Sequence, residues 1–384
     1  MPHLTRGPCS VDNPPAACRA TEDGALRQVE PGDHPLREPL RYGVVGCGRI
    51  APLHLAAIAR MPRARLAAVC DIVPQPAQAA AERFGVEHAS TDYGALFRSG
   101  ALDAVSLCLP HHLHADAIVA AAEAGLHVFC EKPIATTPAD ADRAIAACER
   151  AGVRLGICYQ NRYNLASQAL RRAVDQGRFG RLLQAAITFQ NRKSPDYYAP
   201  GDWHGRWATE GGGALTTQAI HTMDLMLWLM GPAATVQARM ATLVHDIEVE
   251  DTAAVSIEFA SGALGAVTAT TAAHTFWSQR LEIVGTRGKA VLRNNRIVEW
   301  DFADGAPDRA EVMAIDELSG VADERGRYGP GHERILRDFV DCLLDNCPFP
   351  LDGREGRKIS NLLWALYDSA RTGRTVVVRP EDKQ

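Results

Sequence analysis

Long apolar runs are missing from this chain. None reaches the roughly 20 apolar residues that a membrane-spanning helix requires, and the longest, around Ile220 to Met230, is broken by His221 and Asp224. A basic start followed by an apolar stretch is also missing, so no secretory signal and no membrane association are expected. Basic runs interleaved with aromatics are lacking. The 41 Lys and Arg residues are scattered among 46 Asp and Glu, giving a net charge of -5, and this pattern speaks against nucleic-acid binding. A phosphate-bearing ligand is still compatible with that balance, because a helix N-terminus binds anions without net positive charge. Cys-x-x-Cys pairs and zinc-like Cys/His spacings are absent despite 10 cysteines. Cys70, Cys108, Cys130 and Cys158 fall within apolar strand-like segments, as buried thiols do, so the expectation is no metal and a reducing, cytoplasmic setting. No repeat of solenoid length is present.

What is present points to two domains, since 384 residues exceed one ordinary core. Residues 1–39, rich in Pro, Gly and charge without hydrophobic periodicity, are expected to form a disordered tail. From Leu40, short aliphatic runs near 41–46, 65–70, 103–109, 126–130 and 154–159 alternate with alanine-rich helical stretches near 49–60, 74–84, 112–124 and 138–151. This alternation predicts an α/β Rossmann dinucleotide-binding domain over 40–159. Beyond it, strand-like segments at 182–190, 234–244, 251–259, 263–271, 279–285 and 288–292 follow one another through short turns. They predict an α+β domain over 160–378 with a large, mainly antiparallel sheet, for substrate binding and oligomerisation. One helix is expected at 214–230, stopped by Gly231 and Pro232, and another near 355–372.

The segment Gly46-Cys47-Gly48-Arg49-Ile50-Ala51 leaves the first predicted strand and opens a helix, and the next strand ends at Asp71. In that context Gly46 permits a tight turn and Gly48 lets the backbone approach a pyrophosphate at the helix N-terminus. A carboxylate at Asp71 accepts from a ribose 2′-hydroxyl and repels a 2′-phosphate, so NAD is expected over NADP. The bland alternative is a tight turn followed by a helix cap.

Lys132, in Glu131-Lys132-Pro133, ends a predicted parallel strand, where open α/β sheets bind ligands. An ammonium there stabilises developing charge on a reacting oxygen. In the helix 214–230, Thr217, His221 and Asp224 are spaced i, i+4 and i+7, hence on one face. His221 is the natural proton carrier, because imidazole titrates near neutrality. The roles of Lys132 and His221 are exchangeable at this level.

Together these segments resemble the Gfo/Idh/MocA oxidoreductases over about residues 41–378. The motifs that carry the resemblance fall in order: the Gly-x-Gly loop, Pro110-His111-His112-Leu113-His114, Glu131-Lys132-Pro133, Gln160-Asn161-Arg162-Tyr163, and Gly211-Gly212-Gly213 leading to His221, Asp224 and Trp228. The resemblance implies an NAD-dependent dehydrogenase acting on a secondary alcohol of a sugar, sugar nucleotide or polyol, with Lys132 and His221 catalytic. It assigns Gly46, Gly48, Arg49, Ile50, Asp71, Pro110, His111, His114, Glu131, Lys132, Gln160 and Arg162 to the cofactor. One or two of the histidines at 111, 112, 114 and 127 line that cofactor, and the rest serve local structure.

Thr217 departs from the inositol-dehydrogenase branch, which has an aspartate four residues before the histidine. The run Thr217-Gln218-Ala219-Ile220-His221 is closer to enzymes that oxidise nucleotide-linked amino-sugar uronates, although these place an amide where Thr217 stands. Substrate contacts are expected from Lys132, Arg162, Tyr163, Trp203, Arg206, Thr217, His221, Tyr328 and His332, with Trp203 and Arg206 drawn from the aromatic, basic stretch 191–207. The resemblance further implies a homodimer or homotetramer joined through the second sheet. Two alternatives stay open: transient NAD-dependent oxidation within glycoside cleavage or isomerisation, and a non-catalytic NAD-binding regulator.

Overall fold

The computed structural model describes residues 39–199, 201–316 and 330–379. The expected tail, apart from Pro39, and Tyr328 lie outside the described residues. Six short strands form the first sheet: β1 (Leu40–Val45), β2 (Ala64–Cys70), β3 (His88–Ser90), β4 (Ala104–Leu107), β5 (His127–Glu131) and β6 (Leu155–Cys158). They pair in parallel in the order β3-β2-β1-β4-β5-β6. Val44, Val69, Val105, Val128 and Ile157 are fully buried, as strands covered on both faces must be. The chain reverses direction across the sheet between β1 and β4, and that switch point opens the crevice in which such sheets bind ligands.

Helices Ala51–Ala59, Pro74–Phe84, Tyr93–Arg98, His114–Glu123 and Pro138–Ala151 cover this sheet. Their alanines bring helix and strand close together. Thr137 caps the last of them by accepting from the Asp140 N–H (3.2 Å), with Pro138 in the first turn. Strand β3 and helix Tyr93–Arg98 are additions to the sequence reading. Both are short, and β3 carries no apolar pattern.

The second sheet comprises β7 (Leu182–Arg192), β8 (Ala233–Ala241), β9 (Thr252–Phe259), β10 (Leu264–Thr270), β11 (Ala272–Gly285), β12 (Gly288–Arg293), β13 (Arg296–Phe302) and β14 (Val376–Val377). Its order is β13-β12-β11-β7-β10-β9-β8-β14, antiparallel except for the parallel pair β7/β10. Burial alternates along β9 and β10, so one face packs inward and the other is exposed. The strand expected to reach 244 stops at Ala241, because the Asp251 carboxylate gathers the N–H groups of Leu243, Val244 and His245 into a loop. Helices Leu165–Asp175 and Gly331–Leu344 are further additions.

The helix expected at 214–230 is two structures. Ala214–Ala219 is a π-helical turn and Ile220–Met230 an α-helix. The last helix, Gly353–Thr372, ties the sheets together: Trp364 Nε1 donates to Thr136 O (3.1 Å), and Ser369 Oγ accepts from Ala238 N (3.1 Å). Among the described residues no helix is long and apolar enough to cross a membrane.

Candidate active site

The Gly loop lies at the switch point. Gly46 has φ +88°, and a Cβ there would sit 2.3 Å from the Cys108 carbonyl oxygen, so β1 and β4 leave room only for glycine. Gly48 is different. A Cβ there would meet nothing within 4 Å, so the protein's own packing does not call for glycine. The space over Gly48 suits a ligand's phosphates approaching the backbone. Asp71 braces the loop, accepting from Cys47 N (2.7 Å) and Val73 N (2.9 Å). Arg49 and Ile50 stand at the rim, Arg49 exposed with its guanidinium 5.2 Å from the centre of the Tyr197 ring.

Lys132 follows β5, and its bond to Pro133 is cis. Its ammonium donates to the Thr217 carbonyl (2.9 Å), inside the π-helical turn. Burial lowers the ammonium's pKa, and the charges of Glu131 and Glu210 partly restore it. The turn is shaped from outside: Glu250 accepts from Gly213 N and Leu215 N, both at 2.9 Å. A Cβ on Gly213 would lie 1.9 Å from the Glu250 carbonyl oxygen, which gives the Gly-Gly-Gly run a structural reason. Thr217 turns its hydroxyl to Glu210, a carboxylate only 1% exposed, which also accepts from Gly205 N (2.5 Å).

His221 opens into the same space. It is 9% exposed and its Nδ1 has no hydrogen-bond partner. Burial, reinforced by the Lys132 charge, holds its pKa well below the ordinary histidine value, so the ring is neutral. His111 donates from Nδ1 to the Glu210 carbonyl (2.8 Å) and is likewise kept neutral by burial and Lys132.

Two matches define the relationship to known proteins. Residues 40–159 match the oxidoreductase family with NAD-binding Rossmann fold, and residues 167–291 match the GFO/IDH/MocA C-terminal domain. The WlbA dehydrogenase from Bordetella pertussis, solved in complex with NADH and UDP-GlcNAcA, superposes with a TM-score of 0.82 at 34% identity, over 90% of this chain and 99% of that one. The inositol 2-dehydrogenase of Rhizobium meliloti is 32% identical over 69% of this chain and 79% of its own length. The levoglucosan dehydrogenase of Pseudarthrobacter phenanthrenivorans is 29% identical over 86% and 96%. The chain belongs to the Gfo/Idh/MocA oxidoreductase family. It is thus an oxidoreductase with an NAD-binding Rossmann domain and a mainly antiparallel C-terminal sheet.

Several family-motif residues are used inside the protein. Arg162 is buried, with Asp224 taking Nε (2.8 Å) and Nη2 (2.6 Å) and Glu355 taking Nη1 (2.8 Å). Three of the five guanidinium N–H groups are thus committed inside the protein, and the Asp224 carboxylate is taken up by Arg162, with His221 one turn earlier on the same helix. Tyr163 donates to Asp338, and Gln160 is buried. Both nitrogens of His114 lie near carbonyls, of Pro133 (2.7 Å) and Leu109 (2.9 Å), and the ring, kept neutral by burial, donates to one of them at a time. Glu131 points inward. His54 Nε2 lies 2.9 Å from Glu131 and His332 Nε2 3.6 Å, and although burial opposes its charge, these imidazoles hold the carboxyl well below the usual range. With Cys158 they form a buried group of metal-ligand types, joined by the His54–Glu131 hydrogen bond. His332 is thus buried against Glu131.

The stretch 191–207 divides. Trp203 stacks on His204 (3.8 Å) and touches His111 (4.6 Å), and His204 meets Tyr197 (4.0 Å), making an aromatic ladder from the Rossmann domain to the second domain. Pro110 is half-buried just before His111, and Arg206 is exposed at the start of the short helix Trp207–Glu210. Glu210, Glu250 and His54 were not singled out from the sequence. The one available signal was Glu210 beside the Gly211-Gly212-Gly213 run, an arrangement too common to select it.

Proposed function

We propose that this oxidoreductase removes a hydride from a secondary alcohol of a sugar ring, and that its substrates are nucleotide-linked sugars, uronates above all. The observation that carries the reading is the buried Lys132 ammonium at the end of β5, held by the Thr217 carbonyl just before the helix that bears His221. Lys132 donates a hydrogen bond to the reacting hydroxyl, and His221 takes the hydroxyl proton as the carbon becomes a ketone. Bound NAD would supply the hydride acceptor. Gly46, Gly48, Arg49, Ile50 and Asp71 would hold its pyrophosphate and ribose, with Pro110 and His111 nearer the ring. The open space over Gly48 fits that group.

For the substrate, Trp203 offers an aromatic face and Arg206 an exposed cation for a carboxylate or phosphate, with Thr217 lining the floor. Similarity to the Bordetella pertussis dehydrogenase solved with UDP-GlcNAcA supports the same class. The exposed face of the second sheet, with Leu183, Leu264 and Phe276, supports assembly into a homodimer or homotetramer. A cytoplasmic setting belongs to the same proposal.

A screen of NADH absorbance across nucleotide-linked uronates, free sugars and inositols tests the reading. NADH formation should be fastest with the nucleotide-linked uronates. Product formation without NADH would favour internal, redox-neutral chemistry, and silence across all classes would remove the dehydrogenase assignment of this site.

A further inference from the structure

Glu210 occupies an unusual position for a carboxylate. It ends a one-turn helix, Trp207–Glu210, and is buried among neutral donors: the Thr217 hydroxyl on one oxygen and the Gly205 N–H on the other. Its own carbonyl holds the His111 ring. The titratable groups that face it are Lys132, Glu250, His111, Tyr198 and Tyr367. Burial keeps His111 and both tyrosines neutral. Glu250 is taken up by Gly213 N, Leu215 N and the Tyr367 hydroxyl. Lys132 is therefore the cation that answers Glu210's charge. One residue separates them: Thr217 gives its hydroxyl to Glu210 and its carbonyl to the ammonium (2.9 Å).

The second acidic neighbour of Lys132 is differently committed. Glu131 is turned to His54 and His332. Resting on the dehydrogenase reading of this site, we propose that Glu210 is a positioning residue for Lys132, its carboxylate acting through Thr217 to hold the ammonium over the reacting oxygen. The arrangement is an ion pair with a peptide unit interposed, in which each buried charge is retained because the other is present. Burial pushes the Glu210 carboxyl up to about 7, so it takes a proton as pH falls through neutrality. Thr217 then loses its anionic acceptor, and Lys132 loses the charge that stabilises it. Activity should therefore show an acid limb near neutrality that belongs to Glu210.

The test uses the full chain with Glu210→Gln, which keeps an acceptor for Thr217 and removes the charge. Competitive acylation of Lys132 as a function of pH, read by mass spectrometry, reports the ammonium directly and needs no substrate. Its apparent pKa should fall by about one unit, a tenfold change in proton affinity. With a substrate in hand, kcat should fall about tenfold or more with KM little changed, the acid limb near neutrality should vanish, and Glu210→Asp should restore part of the rate. Unchanged Lys132 labelling, or an unchanged kcat and pH profile, overturns the proposal. If Glu210→Gln does not fold, Thr217→Val breaks the same link and should lower the Lys132 value in the same assay, and no shift there overturns it too. Failure of the dehydrogenase reading would appear instead as absent NADH formation with Lys132 still shifted.

Discussion

Lys132 and His221 sit in one enclosure that depresses both pKa values, with opposite consequences. The imidazole becomes a neutral acceptor, whereas the ammonium needs acidic company. Lys132→Met and His221→Ala should each lower turnover by about 10²–10⁴ while NAD affinity, measured by fluorescence titration, stays within a few-fold. Comparable losses in both would recast the residues as cofactor contacts. His204 gives a separate test of pH dependence. Burial pushes its pKa down to about 4 despite Asp202. The unfolded ring, near 6.5, takes a proton that the folded ring refuses, so this contribution is flat above 6.5 and stability is lost as pH falls toward 4. The loss should reach about 3 kcal/mol. Urea melts at pH 7.5 and 4.5 should show wild type losing its advantage over His204→Asn in acid. An equal difference at both pH values would mean that His204 does not titrate there. The placement of Lys132 at a strand end and of the Gly loop between β1 and the first helix was legible, because apolar runs and glycines mark those ends. The pairing of Arg162 with Asp224 and Glu355 was not, because those partners come from distant parts of the chain.

Among the elements, the two glycine segments play different parts. Gly213→Ala drives a Cβ into the Glu250 carbonyl and should destabilise the fold by about 1–3 kcal/mol or more, the usual scale of overpacking. Gly48→Ala meets only open space and should leave the melting temperature near wild type while weakening NAD binding. Thermal melts alongside NAD titrations separate the two. If Gly48→Ala binds NAD normally, the pyrophosphate does not lie against that backbone. Apolar runs predicted the buried parallel strands to within about two residues at most ends, and strand-like segments separated by short turns predicted β9 and β10. The π-helical turn escaped because the side chains of 214–230 keep an ordinary helical pattern. The cause of the widening, Glu250 and the Lys132 ammonium drawing on its backbone, lies outside the segment.

At the scale of the whole molecule, the exposed face of the second sheet is the place to test assembly. Leu264, 62% exposed on β10, should weaken association when changed to Arg, shifting the light-scattering mass toward the monomer without lowering the melting temperature of the separated chain. An unchanged mass would move the interface elsewhere. The last helices carry a different consequence. Phe129 of β5 packs against Phe339 and Phe349, Gly331–Leu344 lies on Ala51–Ala59, and Gly156 bridges Asp352. The core of the Rossmann domain is thus completed by segments beyond the second sheet. During synthesis, the N-terminal half emerges first with its aromatic surface bare and must wait, uncovered, until the end of the chain has been made.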